Sequence, residues 1–201
     1  MPAAGAVQDR PVKRCPWVPE HLEAYVAYHD GEWGVPSRDP RHLFEMICLE
    51  GAQAGLSWWT ILRKRERYRE VFRGFEPGEV ARMSDRQLEK LVLDPGIVRH
   101  RGKIFAVRQN ARAWRALEDR EGDPVGWLWG FVGAKPIVNR PRTMADYAAT
   151  TPESDALSKA LRKAGFNFVG STTMHAFMQA VGMVDDHAVD CFRKRTGAQG
   201  T

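Results

Sequence analysis

Apolar positions recur at three- and four-residue spacing along most of the chain, which indicates helices. Asp39-Pro40 supplies a capping residue and a first-turn proline, and an apolar face then runs from Leu43 to Ala54. The pattern predicts further helices over residues 58–72, after the capping-box pair Ser84 and Gln87, over the stretch with the apolar face Ile104, Val107, Ala111 and Trp114, over residues 124–132, over 153–164 and over 171–181. The best strand signal, Ile137-Val138, is flanked by prolines, so the predicted fold class is all-α.

Composition and charge narrow the possible functions. The chain has 201 residues, of which 43% are hydrophobic, and this is enough to bury a core. It has no apolar run of about 18 residues and no secretory signal, so no membrane span is expected. Three widely spaced cysteines argue against a disulfide scaffold and favour the cytoplasm. The net charge of +5 is compatible with a nucleic-acid partner but does not require one.

Basic residues are concentrated in two segments. Residues 63–69 hold five bases and one acid. Residues 99–117 hold no acid and six bases, namely Arg99, Arg101, Lys103, Arg108, Arg112 and Arg115. Since the apolar face of the second segment would pack inward, its bases can point to solvent, as binding to a polyanion requires.

Two C-terminal helices are joined by a short glycine-containing turn in the run AGFNFVGST. This arrangement is either ordinary helix packing or a helix-hairpin-helix. In the second case, free backbone N–H groups at the start of the second helix grip a phosphate. Gly170 would let the DNA backbone approach, and Ser171 and Thr172 would add hydroxyl donors.

A carboxylate, Glu50, shares an apolar helix face with Leu43, Met46 and Ile47. Because burying it unpaired costs several kcal/mol, it needs a partner or a raised pKa. It either binds the N–H groups of the turn at residues 51–55, pairs with an arginine, or lies in a pocket and accepts hydrogen bonds from a nucleobase. Aromatic residues that can form the walls of such a pocket are frequent nearby: Trp17, Tyr25, Tyr28, Trp33, Trp58 and Trp59.

Two Cys/His pairs lie near opposite ends of the chain. Cys15 and His29 come early, and His187 and Cys191 come late with the i,i+4 spacing of one helical turn. Together they match a closed tetrahedral zinc site, although on spacing alone two buried thiols and two surface histidines are the better explanation. Such a site would be structural and would close a loop of about 170 residues.

The runs RCPW, AYVAYHDGEWGVP, LFEMICLEGAQAGLSWWTIL, GIVRHRGKI, SDALSKALRKAGFNFVGST and FMQAVGMVDDH resemble the 3-methyladenine DNA glycosylase I family, over residues 14–191. The resemblance implies a helix-hairpin-helix glycosylase fold over residues 14–193, in which structural zinc joins the N- and C-terminal segments. Residues 1–13 are then a disordered extension and residues 194–201 a flexible tail.

The resemblance also assigns roles to residues. It implies zinc ligands at Cys15, His29, His187 and Cys191. It implies base recognition by Glu50 in a pocket of Tyr28, Trp58, Trp33 and Trp17. DNA contacts are expected from Leu56, which fills the gap left by the flipped base, and from Gly170, Ser171, Thr172, Arg101 and Lys103.

Several positions modify this assignment. Thr172 stands where lyase members carry a lysine, which implies base removal without a lyase step. Asp190 stands near a catalytic aspartate of other members and is a rival to Glu50, with Asp185 and Asp186 as weaker rivals. At a position where the family has a tyrosine, this chain has His175, and Trp59 adds bulk beside Trp58.

The expected function is therefore hydrolysis of the glycosidic bond of 3-methyladenine in alkylated duplex DNA by a cytoplasmic monomer, which releases the free base. Two alternatives remain open. One is a zinc-stabilised DNA-binding module without catalysis, and the other is a glycosylase for another N3-alkylpurine such as 3-methylguanine.

Overall fold

The computed structural model describes residues 12–194, which are mostly helical. The helices are α1 Glu23–Gly31, α2 Pro40–Gln53, α3 Trp58–Leu62, α4 Arg65–Val71, α5 Pro77–Ala81, α6 Asp85–Leu91, α7 Arg101–Glu121, α8 Pro124–Gly130, α9 Pro152–Lys163 and α10 Ser171–Ala180. Single 3-10 turns lie at Arg73–Phe75 and Met144–Asp146, and two short strands are β1 Ile137–Val138 and β2 Val184–Asp185.

Helix α2 lies at the centre of the molecule. Asp39 caps it by accepting a 2.9 Å hydrogen bond from the backbone N–H of Arg41, and Pro40 occupies its first turn, as the sequence predicts. Every residue from Leu43 to Ala52 is buried, because α3, α7, α8 and α10 all pack around it. A helix enclosed on every side places the acidic Glu50 inside the protein.

The single helix predicted over residues 58–72 is wrong: the chain forms two helices, α3 and α4, with a break at residues 63–64. The break has an electrostatic reason. It turns α4 so that the buried Arg65 reaches Glu45 at 2.6 Å and Glu32 at 2.7 Å. A buried guanidinium needs such partners, and here two carboxylates supply them.

The all-α prediction needs one correction, because strands β1 and β2 form a two-residue parallel ladder. Ile137 pairs with Val184, and beyond the ladder the N–H of Asn139 donates to the carbonyl of Asp185 at 3.1 Å. Strand β2 was not predicted, because two residues are too few to show an alternating pattern.

The basic run at residues 63–69 is largely committed to ion pairs. Besides Arg65, Arg67 binds Asp94 at 2.7 Å, and Arg69 binds Glu45 at 2.9 Å. This run therefore stabilises the fold. The bases on α7 also have partners, since Arg101 pairs with Glu89 and Arg108 with Asp85. No helix within residues 12–194 is both long enough and apolar enough to cross a membrane.

The predicted loose ends at residues 1–13 and 194–201 fall mostly outside the described residues. At their inner edges the chain is held. The side chain of Lys13 pairs with Asp190, and Lys194 donates to the carbonyl of Asp185 at 3.3 Å.

Candidate base-binding pocket and metal cluster

A cavity of about 310 Å³ opens beside Glu50. It lies within the size range of small-molecule sites. Its walls contain all five residues that the sequence predicts for a base pocket, together with seven others: Trp17, Tyr25, Tyr28, Trp33, Glu50, Gln53, Trp58, Met144, Tyr147, Ala148, Ala176 and Gln179.

Glu50 is 5% exposed, and its side chain makes no hydrogen bond or ion pair with any residue between 12 and 194. The cation whose charge acts on Glu50, Arg65, is bound to Glu32 and Glu45 instead. Burial raises the pKa of Glu50 to about 8, and the charge of Arg65 opposes the rise only in part. The structure therefore excludes two of the three interpretations of Glu50, a cap on the following turn and an ion pair with an arginine. The third, a carboxyl group that faces a pocket, agrees with its place in the lining of the cavity.

Aromatic rings form the walls around it. The ring centroids of Tyr28 and Trp58 are 5.2 Å apart, and Trp17 meets Trp33 edge-on at 4.7 Å. Burial raises the pKa of Tyr28 well above its usual range, so its hydroxyl stays neutral. Trp59 stacks on Tyr25 at 6.3 Å and does not line the cavity.

A second cavity of about 230 Å³ shares Glu50, Gln53 and Ala176 with the first. It is otherwise lined by the loop after α2 and the start of α10: Ala54, Gly55, Leu56, Thr172 and Thr173. The carboxyl group thus stands between the aromatic pocket and the surface that carries Leu56, whose side chain is exposed.

The turn between α9 and α10 is held by hydrogen bonds from side chains on α7 and α9. Gly165 adopts a left-handed φ of +93°, which allows α9 to end in a tight turn. Asn110 on α7 donates to the carbonyl of Asn167 at 3.2 Å and accepts from its N–H at 2.8 Å. Ser158 donates to the carbonyl of Val169 at 2.7 Å.

Helix α10 begins without a side-chain cap, whereas the long helices α2, α7 and α9 each have one. Its first backbone N–H groups are therefore available to an external acceptor. The exposed Thr172 lies beside them, while the hydroxyl of Ser171 is bonded to that of Ser154 at 2.8 Å. Gly170 has open space on its side-chain face, with the nearest atom, from Arg162, 3.6 Å away from an added Cβ.

The two bases chosen as DNA contacts differ in their surroundings. Lys103 donates from Nζ to the carbonyls of Ala52 and Ala54, at 2.9 and 2.5 Å, and so closes the end of α2 beneath the Leu56 loop. Arg101 pairs with Glu89 at 2.6 Å, yet its side chain remains 63% exposed. Lys103 therefore supports the loop, and Arg101 is the more accessible charge.

Three of the four predicted metal ligands come together. The sulfur atoms of Cys15 and Cys191 and a ring nitrogen of His29 lie within 4.8 Å of one another, and all three residues are buried. The fourth, His187, packs against His29 with ring centroids 5.3 Å apart. Its Nε2 is buried and has no hydrogen-bond partner among residues 12–194.

The surroundings of these ligands suit a metal ion. Nδ1 of His29 is 2.7 Å from Asp30, and Nδ1 of His187 is 2.9 Å from Asp185, so each Nε2 is left for a ligand. Burial raises the pKa of Cys15 to about 12, so this thiol needs a cation to become a thiolate. The two cysteines and two histidines form a donor set that fits a closed structural site.

The rival carboxylates lie elsewhere. Asp190 is exposed and pairs with Lys13, and it lines neither cavity. Asp185 is bonded to His187, and Asp186 accepts hydrogen bonds from Asn139 and Gln179. His175 is buried beside Asp186, with Nε2 3.6 Å from Oδ2, so this departure from the family lies outside the lining of the pocket.

Tyr25 was among the candidate wall aromatics, and the other six additional lining residues were not predicted as part of the pocket. Those from the loop at residues 144–148 carry no periodic signal, so only the folded chain reveals them. Ala176 and Gln179 were detectable, because with Thr172 and Thr173 they form one face of α10 at three- and four-residue spacing.

Comparisons with known proteins agree with this geometry. A family model described as methyladenine glycosylase matches residues 17–194. The chain is 53% identical over 181 residues to DNA-3-methyladenine glycosylase 1 of Escherichia coli K12, covering 90% of this chain and 96% of that protein. It is 49% identical over 178 residues to DNA-3-methyladenine glycosylase of Haemophilus influenzae, covering 89% and 96%.

Solved structures give the same result. A crystal structure of 3-methyladenine DNA glycosylase I superposes with a TM-score of 0.89 at 50% identity, covering 91% of this chain and all of that one. The enzyme from Staphylococcus aureus, solved for its recognition of 3-methyladenine, superposes with a TM-score of 0.85 at 37% identity, covering 88% and 94%. The chain belongs to the methyladenine glycosylase family.

Proposed function

We propose that this protein is a monofunctional DNA-repair glycosylase that hydrolyses the bond between deoxyribose and 3-methyladenine in alkylated duplex DNA. The observation that carries the proposal is Glu50, a buried carboxyl group with no protein partner among the described residues, in a cavity with aromatic walls. A DNA-binding module without catalysis has no use for such a group, because burial without a partner destabilises the fold.

Charge selects the lesion. N3-methylation makes the adenine cationic, whereas an undamaged adenine is neutral. Because the pKa of Glu50 is about 8, most of the carboxyl group is protonated at neutral pH while the pocket is empty. A cationic base favours the ionised form, so the carboxyl group releases its proton on binding and gains an ion pair that a normal base cannot offer. Tyr28 and Trp58 supply stacking and cation–π contact.

The DNA is held by contacts that ignore sequence. The free backbone N–H groups at the start of α10, from Ser171 onward, bind a phosphate beside Gly170, the Thr172 hydroxyl adds a donor, and Arg101 adds a charge. Leu56 enters the gap left when the lesion swings out of the helix, which costs a few kcal/mol. Lys103 holds the loop that carries it.

The chemistry then needs little help, since a cationic purine is a good leaving group. The electron pair of the bond between the sugar C1′ and the base passes to the ring, which leaves as neutral 3-methyladenine. Water bonds to C1′ and gives its proton to solvent, which leaves an abasic site. Thr172 offers no amine for a Schiff base, so the strand is not cut.

The proposal includes a structural zinc ion. Cys15, His29, His187 and Cys191 would hold it, and its contribution is structural, since four protein ligands leave no position for a water molecule. We assign the protein to the cytoplasm as a monomer, in keeping with the three free thiols.

The test is release of bases from duplex DNA treated with a methylating agent. Free 3-methyladenine is expected, with abasic sites in equal amount and no adduct trapped by borohydride. Glu50→Gln should lose most of this release, and the exposed Glu66→Gln should not. DNA binding without base release would support the non-catalytic module, and predominant release of 3-methylguanine would support the other glycosylase.

A further inference from the structure

Gln179 lines the base cavity and is anchored from its other side by a buried carboxylate. Its Nε2 donates to Oδ2 of Asp186 at 2.6 Å, and Asp186 is 4% exposed. The other oxygen of Asp186 accepts from Nδ2 of Asn139, also at 2.6 Å. Both oxygens of the carboxylate are therefore engaged, and the side chain of Gln179 cannot turn without breaking a charge-assisted hydrogen bond.

The fold supplies this anchor through its short parallel ladder. The pairing of β1 with β2 brings Asn139, the residue after β1, to Asp186, the residue after β2. The backbone of Gln179 is also held, because its carbonyl accepts from the N–H of Gly34 at 3.1 Å and of Gly182 at 3.2 Å. Both the backbone of Gln179 and the amide at the end of its side chain are therefore held in place by hydrogen bonds.

The anchor decides which way the amide faces. A carboxylate only accepts hydrogen bonds, so Asp186 takes the NH2 end of Gln179. The carbonyl Oε1 is then the free end, and no residue within the described part of the chain donates to it. Since Gln179 lines the same cavity as Glu50, the pocket holds two acceptors on facing helices, α10 and α2.

We infer that Oε1 of Gln179 accepts a hydrogen bond from the exocyclic amino group of 3-methyladenine, and that Asp186 is a positioning residue for it. This inference rests on the proposed function. The amino group has two N–H bonds, of which Glu50 takes one and Gln179 the other. A guanine-type base carries a carbonyl oxygen at the same ring position. Once a cationic lesion has ionised Glu50, the lone pairs of that oxygen would face two acceptors. The pair thus rejects 3-methylguanine.

The first test replaces the amide. Gln179→Leu should weaken binding of free 3-methyladenine about tenfold, as expected for one lost hydrogen bond in a pocket. In methylated DNA, the ratio of 3-methyladenine to 3-methylguanine released should fall as well. The matched control is Gln109→Leu: Gln109 is exposed on α7 and donates to the carbonyl of Gly165 at 3.4 Å, outside the cavity, so affinity for the free base should stay unchanged.

The second test frees the amide to turn. In Asp186→Asn the partner can donate as well as accept, so Gln179 presents its NH2 end to the cavity in part of the molecules. Affinity for 3-methyladenine should fall and release of 3-methylguanine should rise, a gain that mere loosening of the fold does not produce. In the Gln179→Leu background, Asp186→Asn should add nothing to the loss of binding.

Thermal unfolding and metal content are measured in parallel, because Asp186 precedes His187. If Asp186→Asn fails to fold, the Gln179→Leu ratio decides alone. The inference is overturned if Gln179→Leu keeps both affinity and ratio within about twofold of the parent, or if Asp186→Asn acts equally in both backgrounds. A parent protein that binds the free base but releases none from DNA would contradict the proposed function, and the binding comparison would still test Gln179.

Discussion

Replacing Glu50 by glutamine should make the protein more stable and less active at the same time. In the folded protein its pKa is about 8, against an ordinary value of 4.5. A carboxyl group with a raised pKa contributes its full stability below the ordinary value and loses it as the pH rises towards the folded value. In that interval the free energy of unfolding falls by about 1.4 kcal/mol for each pH unit. At pH 7, ionisation of Glu50 in the unfolded chain therefore lowers the free energy of unfolding by about 3 kcal/mol.

Glutamine has nearly the same shape and cannot ionise, so Glu50→Gln should recover this amount. The gain should be about 2 kcal/mol at pH 6 and about 5 kcal/mol at pH 9, where the folded carboxyl group is itself ionised. Urea unfolding across this pH range, with zinc in excess, measures it. Base release should fall in the same variant, since the ion pair with the lesion is lost.

The control is Glu45→Gln on the same helix. Glu45 is also buried, but it binds Arg65 and Arg69, so its loss should destabilise the fold by about 3 kcal/mol or more. If Glu50→Gln raises the free energy of unfolding and Glu45→Gln lowers it, the effect depends on whether the carboxyl group has a partner, because the two substitutions are chemically identical and lie on the same helix. A Glu50→Gln protein no more stable than its parent at pH 9, or a difference independent of pH, would refute the reasoning.

Three further outcomes are expected. For wild-type protein, kcat/KM should rise with pH to a plateau above about 8 as Glu50 ionises, and an unchanged profile in Glu50→Gln would contradict this assignment. Cys191→Ser should lose bound metal and lower Tm by several degrees while its folded fraction keeps some activity, and chelation that stops catalysis without unfolding would show the metal to be catalytic. Leu56→Ala should reduce excision from duplex DNA about tenfold or more and leave binding of the free base unchanged, and equal loss in both assays would place Leu56 in the pocket instead of the DNA gap.

The helices with strong caps were predictable from the sequence. Asp39-Pro40 and the pair Ser84 and Gln87 begin helices in the structure as predicted, because capping is a local interaction. The break at residues 63–64 was not predictable, since it is set by Arg65 reaching carboxylates 20 and 33 residues away in the sequence. Strand β2 is equally dependent on a distant partner.

Some residues of the pocket were likewise predictable from the sequence and others were not. Glu50 was detectable as a charge on an apolar helix face, and the aromatics of residues 17–58 were detectable by their number. The lining from residues 144–148 was invisible, since a loop without periodicity shows nothing about where it packs. The anchoring of Gln179 by Asp186 also required the fold, because it depends on the ladder that places Asn139 beside that carboxylate.

His187, a member of the Cys/His cluster, supports one wall of the cavity from the far end of the chain. Trp33 packs edge-on against His187 at 4.7 Å, and Trp17 leans on Trp33 at the same distance. Both tryptophans leave the ribosome long before His187 and Cys191 exist. A growing chain therefore carries Glu50 and its aromatic neighbours without the support that fixes one wall. The cavity wall at Trp33 is therefore complete only once the C-terminal segment that carries His187 has been made.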